Sequence, residues 1–111
     1  MAIPHLQSHD EAREVAMFDG VTRRTLNHGE RTSLHEIRIA RGAVVPSHTH
    51  RHEQIGYLVS GRARFVVDGQ SKDLGPGDSW IVPGGLEHEV TALEDVVAID
   101  VFSPVRQEYL D

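Results

Sequence analysis

Turn-forming residues constrain this chain more than anything else in it. Ten glycines and five prolines are spread through 111 residues and cut the apolar pattern into short runs. Asp19-Gly20, Arg41-Gly42, Gly61, Asp68-Gly69, Gly75-Pro76-Gly77-Asp78 and Pro83-Gly84-Gly85 each stop a segment before it can build a long helix. No stretch sustains a 3.6-residue period, so helix content is expected to be low. Strands are expected over 13–18, 22–27, 33–40, 55–60, 62–67, 79–82, 88–92 and 96–102. Two hairpins are expected, one joining 55–60 to 62–67 through Gly61 and one at Asp68-Gly69. Many short strands divided by Gly and Pro turns make an all-β antiparallel sandwich or barrel. Residues 1–12 read as a short polar N-terminal arm or an edge strand. Residues 105–111 read as a C-terminal tail with room for one helical turn.

A chain of this length forms one domain with one core, taken here as residues 1–111. The formal charge is -6 and no basic run stands out, which argues against nucleic acid and anionic membrane as partners. With no cysteine, disulfides, thiolate zinc sites and a cysteine nucleophile are excluded. Met1-Ala2-Ile3-Pro4-His5 has neither a basic start nor an apolar run behind it, and nothing later approaches the ~20 apolar residues of a membrane span. The expected location is the cytoplasm.

Chemistry concentrates in Pro46-Ser47-His48-Thr49-His50-Arg51-His52-Glu53-Gln54, where three of the eight histidines alternate. Alternate residues of a strand share a face, so His48 and His50 can aim two imidazoles at one point, as a metal ion requires. His88, beyond a turn-rich segment, can close the site from a neighbouring strand. His52 has the same parity but is expected to face solvent or line the mouth. His5, His9, His28 and His35 lack ligand spacing and are expected at the surface. Trp80 reads as core packing or as a pocket wall.

These residues also carry a resemblance. Gly42-x5-His48-x-His50-x3-Gln54-x6-Gly61 resembles the first motif of the cupins, with Gln54 where most have glutamate. Gly77-x5-Pro83-x-Gly85-x2-His88 resembles the second, with Ala92 where asparagine is common. The resemblance implies a double-stranded β-helix, the cupin jelly-roll barrel, with His48, His50, Gln54 and His88 as metal ligands. Imidazoles and an amide oxygen suit one divalent transition metal such as nickel, iron, zinc or manganese. An uncharged ligand set leaves the ion about two positive charges, which suits a Lewis acid acting on an oxyanion.

A narrower resemblance lies at the end of the chain. Asp100-Val101-Phe102-Ser103-Pro104-Val105-Arg106-Gln107-Glu108-Tyr109-Leu110 is similar to the C-terminus of the KdgF family of small cupins, and His48 to Tyr57 is similar to it too. That family opens 4,5-unsaturated monouronates into linear keto sugars in pectin and alginate breakdown. The resemblance implies a small carboxylated sugar as substrate. It also implies Asp100 as general acid or base, Arg106 as the grip on the carboxylate and Phe102 as the ring-packing wall. The plain alternative for Asp100 and Arg106 is a structural ion pair at the barrel rim. Rival functions are a metal-dependent isomerase or lyase on another small carboxylate, a dioxygenase, and a non-catalytic small-molecule-binding module.

Parity adds one expectation. If Asp100 and Phe102 face inward, Val97, Ile99 and Val101 face outward and need a cover, which a homodimer packed sheet against sheet would supply. If the parity is reversed, those three residues are core and Asp100 loses its role.

Overall fold

The computed structural model describes residues 4–110. Its regular elements are the strands β1 (Glu14–Phe18), β2 (Val21–His28), β3 (Ser33–Ile39), β4 (Val44–His48), β5 (Glu53–Ser60), β6 (Ala63–Val67), β7 (Gln70–Leu74), β8 (Ser79–Val82), β9 (His88–Ala92) and β10 (Val96–Ser103), with single 3-10 turns at His9–Glu11 and Gln107–Tyr109. Residues 4–12 contain no strand, so that part of the N-terminal segment is an arm; residues 1–3 and 111 lie outside the described residues.

The strands form two antiparallel sheets. One has six strands in the order β1-β2-β3-β10-β5-β8, the other four in the order β4-β9-β6-β7. Strands distant in sequence lie side by side, the jelly-roll arrangement. The period of two sorts the side chains. Along β10, Val96, Ala98, Asp100 and Phe102 are buried while Val97, Ile99 and Val101 are partly exposed on the outside. On β5, Gln54, Gly56 and Leu58 point in while Ile55, Tyr57 and Val59 point out. The core between the sheets is built on Val21, Leu58, Phe65, Val82 and Val96. Leu58, Val21 and Val82 are essentially sealed from solvent, which contributes about 1.5–3 kcal/mol for each such side chain.

One expected hairpin forms and the other does not. Asp68 and Gly69 both adopt positive φ, +48° and +78°, the two-residue turn that matches strand twist, and β6 pairs with β7 across it. The hairpin expected through Gly61 is absent. There β5 remains in the six-stranded sheet beside β10 and β8, while β6 enters the other sheet beside β9 and β7. Gly61 makes this corner with φ +86°, and a Cβ on it would stand 2.0 Å from the Asp95 carbonyl oxygen. The close approach of the 61 and 95 corners, with Leu93 N–H donating to the Arg62 carbonyl at 2.8 Å, is what turns both chains between sheets.

Candidate metal centre

The end of β4 and the start of β9 lie opposite each other, with His48 and His88 as register partners. His50 lies just past the end of β4, and Gln54 enters from β5 in the other sheet. Both sheets therefore converge on one end of the barrel. One ligand atom from each of His48, His50 and His88 falls within 4.8 Å of the others. Gln54 Oε1 is 3.1 Å from His50 Nε2. The four residues expected as ligands are thus brought together.

The hydrogen bonds fix which nitrogen each ring presents. Nδ1 of His48 reaches the Pro46 carbonyl at 2.8 Å, Nδ1 of His50 the His52 carbonyl at 3.1 Å, and Nδ1 of His88 the Leu86 carbonyl at 2.9 Å. A carbonyl only accepts, so each Nδ1 carries a proton and Nε2 is the nitrogen each ring has left to present to an ion. Burial pushes His50 down to about 4, with the Arg106 and His88 charges acting in the same direction. Burial lowers His88 as well. Neutral imidazoles with free Nε2 atoms are what a metal ion needs. Nε2 of His50 and Nε2 of His88 stand 3.1 Å apart, and two lone pairs this close repel unless a cation or a shared proton lies between them. The donor set therefore fits a divalent metal.

Behind the ring, Asp100 Oδ1 accepts two hydrogen bonds, from Gln54 Nε2 at 2.9 Å and from Trp80 Nε1 at 2.9 Å. Burial raises the Asp100 carboxyl to about 6 in spite of these donors and the Arg106 charge. Among the described residues Asp100 and Arg106 form no ion pair; Arg106 Nε is bonded to Glu108 at 2.6 Å instead. The Arg106 guanidinium lies over Phe102 at 4.7 Å and over Tyr109 at 4.1 Å. Its terminal nitrogens have no hydrogen-bonding partner among the described residues. A cavity of about 60 Å³ lies inside this arrangement, with Asp100, Phe102, Arg106, Trp80 and Tyr109 among its walls. Trp80 is thus both core and wall.

The surface expectation for His35 and the solvent-facing option for His52 are overturned. His35 is fully buried, not at the surface. It shares the inward face of β3 with Ser33, Ile37 and Ile39, and parity with those neighbours is the signal that could have placed it. Its Nδ1 lies 3.0 Å from Thr25 Oγ1 and its Nε2 2.8 Å from Ser33 Oγ. Thr25 Oγ1 donates to the Tyr109 carbonyl, and Ser33 Oγ accepts the Arg106 amide at 3.1 Å. His35 therefore ties the C-terminal tail to β2 and β3. His52 is the second case: it is buried, 5% exposed, and its Nδ1 has no partner among the described residues. It packs near His50 and Phe102, beneath the tail and not facing solvent. His5, His9 and His28 are exposed.

Comparison with known proteins agrees with this geometry. The cupin domain family model matches residues 35–102. The pectin degradation protein KdgF of Dickeya dadantii is 31% identical over 91% of this chain and 94% of its own. The solved structure of KdgF from Halomonas sp. superposes with a TM-score of 0.91 at 32% identity, covering 97% of this chain and 100% of that one. A solved structure of Bacillus subtilis oxalate decarboxylase, a protein with Mn(II) centres, matches 94% of this chain and 29% of its own at 27% identity and a TM-score of 0.77.

Proposed function

Because the chain belongs to the cupin family, and within it to the family of the pectin degradation protein KdgF, we propose that it converts 4,5-unsaturated monouronates into linear keto sugars. The observation that carries this reading is that a cavity walled by His48, Gln54 and His88, which cluster with His50, is walled also by Arg106, whose terminal nitrogens have no hydrogen-bonding partner among the described residues. A divalent metal held there supplies a Lewis acid for the negative charge that develops on a substrate oxygen.

The protein's own groups do the rest. Arg106, with Nε spent on Glu108, offers its terminal nitrogens to the substrate carboxylate as a planar fork. Asp100 Oδ1 is engaged twice, so Oδ2 is the oxygen that moves protons. A carboxyl raised to about 6 is well placed for that work near neutral pH. It takes the proton of the C1 hydroxyl; the bond from C1 to the ring oxygen breaks; charge passes through the double bond to C4. Return of the proton to C4 completes an isomerisation that consumes nothing else. Phe102, 2% exposed, packs against the sugar and excludes water.

The working unit in this reading is a cytoplasmic homodimer. No helix among the described residues is long and apolar enough to cross a membrane. Ile55, Tyr57, Val59 and Ile81, 47–53% exposed on the outer face of the six-stranded sheet beside Val97, Ile99 and Val101, supply a self-complementary patch.

The test is loss of the double-bond absorbance of a 4,5-unsaturated monouronate with metal-loaded protein, against the spontaneous rate. Acceleration that chelation abolishes supports the reading. No acceleration by a folded, fully metallated sample rules out this substrate.

A further inference from the structure

Gln54 is a ligand whose side chain can be used either way round: only its oxygen binds a metal, and a rotation of about 180° presents the nitrogen instead. Something must choose. The register of the six-stranded sheet places Asp100 of β10, Gly56 of β5 and Trp80 of β8 in one cross-strand row, with Gln54 two residues from Gly56 on the same inward face. Trp80 reaches Asp100 only by laying its indole across the middle strand. A Cβ at position 56 would stand 2.1 Å from the indole Cε2, so glycine is required there. On its far side the indole packs against Phe65 with ring centroids 4.4 Å apart. Its Nε1–H then has one direction left, to Asp100 Oδ1, where it meets the Gln54 amide nitrogen on the same oxygen.

We propose that Trp80 is a positioning residue for the metal centre: with Gly56 making room, it pins Asp100 Oδ1 as an acceptor, and Asp100 in turn holds Gln54 with its oxygen turned to the histidines. The inference rests on the metal-binding part of the proposed function and is independent of the substrate. The flipped amide would set Gln54 Oε1 against Asp100 Oδ1, two acceptors facing with no proton between them. The carboxylate therefore favours the amide orientation that turns the oxygen to the histidines, against the His50 Nε2 lone pair that the same oxygen faces at 3.1 Å. Three strands contribute one residue each to this arrangement. A phenylalanine would pack as well as Trp80 against Phe65, without the donor.

The experiment is a nickel titration of the full chain, with dissociation constants from competition with a chromogenic chelator, in a double-mutant cycle of Trp80→Phe with Gln54→Ala. Loss of an outer partner of a ligand weakens metal binding by about 10-fold or more. The expected result is about 10-fold weaker nickel binding in Trp80→Phe and no further loss when the same change is made on Gln54→Ala, because the effect passes through Gln54. Equal loss in both backgrounds would mean that Trp80 acts only through packing and would overturn the proposal, as would an unchanged constant in the single variant. Gly56→Ala, which drives the indole off Asp100, should weaken nickel at least as much as Trp80→Phe; wild-type affinity there also overturns it. Trp80 is the only tryptophan, so quenching of its emission by nickel gives a second reading of the wild-type constant. A wild type that binds no nickel removes the metal centre and this inference together. One that binds nickel but leaves the uronate unchanged removes only the substrate.

Discussion

Acidification is expected to destabilise this protein, with His35 a principal contributor. Burial lowers His35 from 6.5 to about 4, with the Arg23 and Arg106 charges pushing the same way. The bonding explains why the neutral form is favoured. The Thr25 hydroxyl proton is committed to the Tyr109 carbonyl, so Thr25 accepts from His35 Nδ1–H, and His35 Nε2 accepts from the Ser33 hydroxyl. A second ring proton would point at Ser33 Oγ, which already takes the Arg106 amide. The unfolded chain gains a proton as pH falls through 6.5, whereas the folded one does not until about 4. Stability is therefore fully present above about pH 6.5 and is lost on the way down to about pH 4. The whole difference is worth about 3 kcal/mol, of which about 2 kcal/mol is gone by pH 4.5. Urea unfolding of metal-free protein at pH 7 and pH 4.5, compared with His35→Gln, isolates the effect. The variant starts about 1–3 kcal/mol lower because it disturbs buried bonds, and it should lose about 2 kcal/mol less on acidification than the wild type. Parallel losses in the two proteins would refute the reasoning.

Three further outcomes are expected. Arg106→Ala should raise KM for a carboxylated substrate by about 10–100-fold, the worth of a charge-assisted hydrogen bond, with metal content by elemental analysis unchanged. Saturating nickel at about 100 times its dissociation constant should add about 2.7 kcal/mol to the unfolding free energy, and His50→Ala should abolish most of that gain. Ile55→Lys with Ile81→Lys places charges among the exposed apolar residues of the six-stranded sheet; sedimentation equilibrium should show a dimeric wild type and a monomeric variant, and a monomeric wild type would remove the dimer from the reading.

What the sequence determined is local. Turn residues set where strands stop, and Asp68-Gly69 forms the hairpin its residue types demand because positive φ is a property of those two residues. The candidate ligands were legible because His48 and His50 lie on one short stretch whose spacing and parity are read directly, with His88 able to close the site and Gln54 added by the resemblance to the cupin motif. The parity of β10 left two options, and burial of Asp100 and Phe102 selected one.

Only the tertiary structure decided the rest. Nothing near Gly61 distinguishes a hairpin from a corner between sheets, because the choice depends on the backbone at Asp95, more than thirty residues away. His35 is buried because Thr25, Ser33 and a carbonyl from the C-terminal tail satisfy its network. A polar side chain tolerates the interior only when partners meet it there, and those partners are assembled by the closed barrel. Trp80 reads in sequence as an apolar residue of a short strand. Its bond to Asp100 exists because a glycine on the strand between them lets the indole cross. Periodicity is written within one strand, whereas the identity of the neighbour is fixed when distant strands pair.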